Sequence, residues 1–147
     1  MLFGRRPRQI NRVLIVEDEP LIAFDTEHFL SEEGFEIHAT VDRVAQAIEH
    51  IETSGESIDL VLVDVQLADG SGIEVAEAAH RHGVAALFVT GDCPSEAKHV
   101  AAGCLAKPYQ QRDLLGAIRA IDDVLQARKV RKLPAAFTLF AEPAVRT

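Results

Sequence analysis

The sequence predicts a doubly wound α/β domain with a central parallel sheet, and three observations carry that prediction. Five apolar runs alternate with five stretches of helical pattern, the order that builds parallel strands joined by crossover helices. Three of the runs, over 13–16, 60–63 and 87–89, are continuously apolar, as expected when helices cover both faces of a sheet. Four runs also end on polar residues: Glu17-Asp18 after the first, Asp64 after the third, Thr90 after the fourth and Lys107-Pro108 after the fifth. Groups placed just beyond the carboxyl ends of neighbouring parallel strands converge on one crevice.

Strands are expected near 12–17, 35–39, 59–64, 84–90 and 103–106, after a basic polar arm over 1–11. Helix one should begin at Pro20, whose missing N–H costs nothing in the first turn, and end at Gly34. At about 100° per residue, Ile22, Thr26, Phe29, Leu30 and Glu33 share one arc and Leu21, Phe24 and His28 another. The second arc is too apolar for idle surface: it either packs on the edge of the sheet or docks a partner. Helix two, over 42–54, follows Asp42 as a candidate N-cap, and helix three, over 72–82, follows the turn Asp69-Gly70-Ser71-Gly72. Helix four, over 94–101, is short and Ala-rich, which makes it the expected weak element and the natural place for a conformational change. In helix five, Leu114, Ile118, Ile121 and Leu125 form a stripe that should close one side of the sheet, with Arg119, Asp122 and Asp123 outside it.

Residues 12–128 therefore read as one domain, with a C-terminal extension over 129–147. In that extension Phe137, Leu139 and Phe140 could add an edge strand, pack against the domain or bind a partner, and packing in cis is favoured. No apolar run reaches the roughly 20 residues of a membrane span, and no secretory segment opens the chain, so a cytoplasmic location is expected. Cys93 and Cys104 show no metal-ligand or redox spacing and are expected to be buried reduced thiols.

The 147 residues carry a net charge of −8, unevenly spread. Nine of the 15 basic residues lie at the ends: Arg5, Arg6, Arg8, Arg12, Arg128, Lys129, Arg131, Lys132 and Arg146. Between 13 and 127 there are 6 basic and 22 acidic residues, a balance that argues against nucleic-acid binding by the folded domain.

The strand-end residues suit phosphoryl chemistry. A carboxylate can attack phosphorus when a divalent cation offsets its repulsion from the incoming anion, and Asp64 is the candidate nucleophile. Glu17 and Asp18 beside it make a hard-cation site best suited to Mg²⁺, which takes oxygen ligands and bridges carboxylates to phosphate. Lys107 would offer a positive charge to one phosphoryl oxygen and Thr90 a hydroxyl to another. Taken singly, the acids read as helix-start and loop-cap residues; four such residues in strand order read as a site.

The chain resembles the receiver domain of bacterial two-component response regulators over about residues 11–127. The carriers are Val13-Leu14-Ile15-Val16-Glu17-Asp18-Glu19-Pro20, Leu62-Val63-Asp64-Val65-Gln66-Leu67, Asp69-Gly70-Ser71-Gly72, Phe88-Val89-Thr90-Gly91 and Lys107-Pro108-Tyr109. The resemblance implies a flavodoxin-like (βα)5 fold of strand order 2-1-3-4-5. It also implies Asp64 as phosphoacceptor, Glu17 and Asp18 with Asp64 as Mg²⁺ ligands, Thr90 as switch hydroxyl, Lys107 on the phosphoryl group and a cis peptide before Pro108. Receivers usually carry a switch Tyr or Phe three residues before the lysine; here Cys104 stands there, so an aromatic rotation cannot be the readout. That feature and the Phe88–Gly91 run resemble the FAT GUY receiver subgroup, single domains paired with histidine kinases of the HWE/HisKA2 type. Asp92 departs from that pattern.

The resulting expectation is a stand-alone response regulator, since no output domain follows residue 127. It would take a phosphoryl group from a sensor histidine kinase and signal to a downstream protein, or act as a phosphate sink, through a rearrangement of helix four. Its only catalysis would be its own phosphorylation and dephosphorylation, with Gln66 and Asp92 tuning lifetime, Leu21, Phe24 and His28 docking the kinase, and a phosphorylation-dependent dimer implied by resemblance. The alternative is a phosphorylation-independent interaction module, against which the intact acids argue. A third reading, a Mg²⁺-dependent phosphohydrolase, would need a carboxylate where Gln66 stands.

Overall fold

A computed structural model of the chain describes residues 8–140, so Arg5, Arg6, Pro143 and Arg146 lie outside the described residues. The main sheet contains β1 (Arg12–Val16), β2 (Glu36–Val41), β3 (Leu60–Val63), β4 (Ala85–Thr90), β5 (Gly103–Ala106) and β6 (Phe137–Leu139). Their spatial order is β2-β1-β3-β4-β5-β6, with the first five parallel and β6 antiparallel to β5. This is the flavodoxin-like order 2-1-3-4-5 with one strand added at the β5 edge. The helices are α1 (Pro20–Glu32), α2 (Val44–Ser54), α3 (Gly72–Arg81) and α4 (Gln111–Leu125).

Side chains alternate across the sheet, so the apolar strands feed two cores. Leu14, Val16, Val61, Val63, Ala86, Phe88 and Cys104 pack with Val44, Ala47 and Ile51 of α2 and Val75, Ala76 and Ala79 of α3. Val13, Ile15, Leu60, Leu62, Leu87, Val89 and Leu105 face the other way, onto Leu30 of α1 and Leu114, Ala117, Ile118 and Ile121 of α4. Among the described residues no helix is long and apolar enough to cross a membrane.

Two glycines fix the local backbone, one at each rim of the sheet. Gly34, at φ 92°, ends α1 in a backbone conformation that favours glycine. Gly72 opens α3 so close to β3 that any Cβ there would overlap the Asp64 carbonyl oxygen, while the Ser71 hydroxyl caps the helix by accepting from the Ile73 N–H at 3.1 Å.

Several expectations need correction. Helix two starts at Val44, not Asp42, and its cap is supplied from the hairpin before α3: an Asp69 carboxylate oxygen accepts from the Val44 N–H at 2.7 Å. That bond, the largest influence on Asp69, holds its carboxyl below the ordinary value. Helix four is not an α-helix but a 3₁₀ turn, Ser95–His99, of which only Ala97 is buried; with no apolar stripe to pack, a longer helix has nothing to hold it. In α4 the buried stripe runs to Val124, leaving Leu125 exposed, and Asp122, expected outside the stripe, is buried (3% accessible).

Asp122 is buried because it has donors. Its Oδ1 accepts from the backbone N–H groups of Gln9 at 2.7 Å and Ile10 at 3.0 Å, and its Oδ2 from Gln126 at 2.8 Å and Arg128 at 3.0 Å. The end of the expected basic arm is thereby docked, with Ile10 fully buried. At the other end, residues 137–139 form β6, and Phe137 lies over Gly103, where an added Cβ would come within 2.5 Å of its ring. Cys93 is exposed and bonded to Cys104, which corrects the expectation of two buried reduced thiols.

Candidate functional site

Four adjacent strands deliver the polar residues to one rim of the sheet. Glu17 and Asp18 follow β1, Asp64 follows β3, Thr90 ends β4, and Lys107 follows β5. Carboxylate oxygens of Glu17, Asp18 and Asp64 all lie within 4.8 Å of one another, and Glu17 and Asp64 are buried. The Lys107 ammonium donates to Asp64 Oδ2 at 3.0 Å and to Glu17 Oε1 at 3.4 Å. The remaining oxygens are tied to the backbone: Asp64 Oδ1 accepts from the Gln66 N–H at 3.2 Å, and Glu17 Oε2 from the Glu19 N–H at 3.1 Å. The Lys107 N–H donates to the Thr90 carbonyl at 2.8 Å, which fixes the β5 exit against the end of β4. The Lys107–Pro108 peptide is cis.

Burial raises the Glu17 carboxyl above its ordinary value; the Glu19 N–H and Lys107 oppose this, and the Asp64 charge adds to it. Burial pulls Lys107 down, but its hydrogen bond to Asp64 and the Glu17 and Asp64 charges outweigh that, so its net shift is upward. Three carboxyl groups face one ammonium in a sheltered crevice, an excess of acidic oxygen donors. A hard divalent cation fits that donor set in charge and in ligand type, and Glu17, Asp18 and Asp64 would hold Mg²⁺.

The other expected residues lie around this centre. The Thr90 hydroxyl is buried and meets only its own turn, 3.4 Å from the Asp92 N–H and 3.5 Å from the Asp92 carbonyl. Gln66 and Asp92 are exposed at its mouth, two residues beyond Asp64 and Thr90. A Cβ added at Gly91 would meet nothing within 4 Å. Cys104 sits inside β5 opposite Phe88 of β4. Leu21, Phe24 and His28 are not in the crevice: they form an exposed face of α1, 79% exposed at Leu21 and 67% at Phe24, with the Phe24 and His28 rings stacked at 6.3 Å. They do not pack on the sheet edge; the buried line of α1 is Ala23, Thr26 and Leu30.

Sequence reasoning gave no role to Tyr109 or Thr26. Both line a small cavity beside Glu17, Asp64 and Val89. Burial raises Tyr109 above its ordinary value, so it stays neutral beside the carboxylates. The readable signal was an aromatic residue directly after Lys107-Pro108.

Known proteins are similar to this chain in sequence and in fold. Over 113 residues the chain is 34% identical to the transcriptional regulatory protein PdtaR of Mycobacterium tuberculosis, covering 73% of this chain and 54% of that protein. It is 33% identical over 124 residues to the transcriptional activator protein IrlR of Burkholderia pseudomallei, covering 80% of this chain and 53% of that one. The chain thus spans about half the length of these curated relatives. Its fold is similar to that of a CheY-like response regulator receiver domain protein from Methanospirillum hungatei, with a TM-score of 0.72 and 29% identity, covering 81% of this chain and 98% of that one. Residues 13–119 match the family described as the response regulator receiver domain, and the chain belongs to that family.

Proposed function

We propose that the chain accepts a phosphoryl group on Asp64 from a sensor histidine kinase and passes the change on through protein contacts, as a stand-alone regulator in a phosphorelay. The observation that carries this is the Glu17–Asp18–Asp64 carboxylate cluster with the Lys107 ammonium 3.0 Å from Asp64 Oδ2. Transfer would form an O–P bond to Asp64 and break the donor's P–N bond, with Lys107 offsetting charge on one phosphoryl oxygen and the Thr90 hydroxyl donating to another. When bound, Mg²⁺ would supply the charge that lets a carboxylate meet an anionic phosphoryl group. The chain would turn over only its own acyl phosphate, with Gln66 and Asp92 flanking the path of the hydrolytic water.

The exposed Leu21, Phe24 and His28 face supports α1 as the kinase-docking surface. Cys104 in place of an aromatic and the Phe88–Gly91 run support the FAT GUY subgroup and an HWE/HisKA2-type kinase. The acidic body supports a protein rather than a nucleic acid as the downstream target. The test is intact-protein mass after incubation with a small acyl phosphate. A single phosphoryl gain that requires Mg²⁺ and is lost in Asp64→Asn is expected; no gain, even from a cognate kinase, would favour a phosphorylation-independent module.

A further inference from the structure

The turn after β4 is joined covalently to β5. Cys93 and Cys104 are bonded, with Cα atoms 6.4 Å apart, and close a ring around the 3₁₀ turn Ser95–His99. The two cysteines hold mirrored places beside the crevice: Cys93 follows Thr90 by three residues, and Cys104 precedes Lys107 by three. The ring therefore begins and ends three residues along the chain from a residue of the site, Thr90 on one side and Lys107 on the other. Apart from the bond, the 94–102 segment is held mainly at its far end: Ala97 is buried, Val100 and Ala101 pack partly against the core, and the Ala102 N–H donates to the Ala86 carbonyl at 2.8 Å, while Ser95, Glu96, Lys98 and His99 are exposed. A thinly packed segment in a short covalent ring owes much of its order to the cross-link. Access is one-sided, since Cys93 is exposed and Cys104 is buried.

We propose that the Cys93–Cys104 pair is a redox-reversible modification site, exchanged by small thiols and disulfides, that clamps residues 91–103. Reduction releases this segment to rearrange when Asp64 is phosphorylated; that second half rests on the phosphoacceptor reading. A thiolate attacks the Cys93 sulfur, breaks the bond and forms a mixed disulfide, while Cys104 leaves as a thiolate and takes up a proton. A second thiol then displaces Cys93 as its own thiol. Two small thiols are oxidised to one disulfide, and the protein disulfide is reduced to two thiols.

The test uses the full chain after mild disulfide oxidation and after reduction. Alkylation followed by intact mass should count no adduct in the first state and two in the second; two adducts in both would overturn the proposal. Amide exchange over 94–102 should then be faster by about tenfold or more in the reduced protein. Cys93→Ser should exchange like reduced wild type in either buffer. Beryllium fluoride with Mg²⁺, a phosphoryl mimic, should alter exchange over 91–103 in the reduced protein and not in the bridged one. Equal exchange in bridged and reduced wild type, or a response to the mimic that is present and of equal size in both, would overturn the clamp. No response to the mimic in either state, together with no phosphoryl mass gain, would overturn the phosphoacceptor reading, and the exchange contrast would still decide the clamp.

Discussion

Lys107 holds Asp64 directly: its ammonium lies 3.0 Å from Oδ2, and it reaches Glu17 at 3.4 Å from the same position. In the metal-free protein this one side chain neutralises part of a buried acid cluster. Lys107→Met should cost about 1–3 kcal/mol of stability, because the carboxylates lose the only side-chain cation paired with them among the described residues. Added Mg²⁺ should recover more stability in the variant than in wild type. Urea denaturation with and without Mg²⁺ reads both effects.

Glu17 binds its proton more tightly in the folded chain than an ordinary glutamate at 4.5, chiefly because it is buried. Between 4.5 and the raised value the folded state carries the extra proton, so metal-free stability falls as pH rises through that window. Glu17→Gln should flatten this part of the stability curve, raise metal-free stability near neutral pH and abolish the Mg²⁺-induced gain. Thermal melts at stepped pH, with Mg²⁺ and with chelator, check the sign.

Asp122 joins the chain's beginning to its last helix. Asp122→Ala would leave the Gln9 and Ile10 N–H groups without their acceptor and cost roughly 2–4 kcal/mol. The loss should come with faster amide exchange at Gln9 and Ile10, while phosphoryl uptake at Asp64 stays intact. A variant with full stability would show that water replaces the carboxylate there.

On the proposed reading, the apolar face of α1 should separate two routes to phosphorylated Asp64. Phe24→Asp should slow phosphoryl transfer from a histidine kinase by about tenfold or more, as expected for a central contact of a docking patch. Uptake from a small acyl phosphate should be unchanged, since Phe24 is 67% exposed and touches none of the acids. Paired rate measurements with the two donors give the answer.

Gly103 makes room for the C-terminal strand. In Gly103→Val the new side chain would meet the Phe137 ring and the Thr138 carbonyl, so β6 should detach while the first five strands remain. Loss of exchange protection at residues 137–140, with protection of β1, β3 and β4 retained, is the expected pattern.

Much of the fold and the crevice was legible because it depends on local order. Continuous apolar runs mark strands covered on both faces, and a strand's last residue falls on the rim whatever the details of packing. Glu17, Asp18, Asp64, Thr90 and Lys107 were therefore readable as one group. What was missed depends on partners far along the chain. Asp122 looks solvent-facing from the α4 stripe, and only the approach of Gln9 and Ile10 supplies the donors that bury it. The cap of α2 comes from Asp69, 25 residues past Val44, so no adjacent residue could signal it. Cys93 and Cys104 are 11 residues apart and meet only because the intervening segment turns back instead of forming a helix. The extension left three outcomes open, and a glycine in β5, not any feature of the extension, allows it to dock as a strand.

The antiparallel direction of β6 determines where the chain departs. Leu139 pairs with Gly103, the first residue of β5, and the Phe140 N–H bonds the Ala102 carbonyl. Ile10, just before β1, lies at the same amino-terminal rim. Both ends of the described chain thus leave from the side opposite the acids, separated from them by the length of a strand, roughly 15 Å. A label attached at Arg8 or Phe140, the ends of the described chain, would sit below the sheet and leave the crevice open.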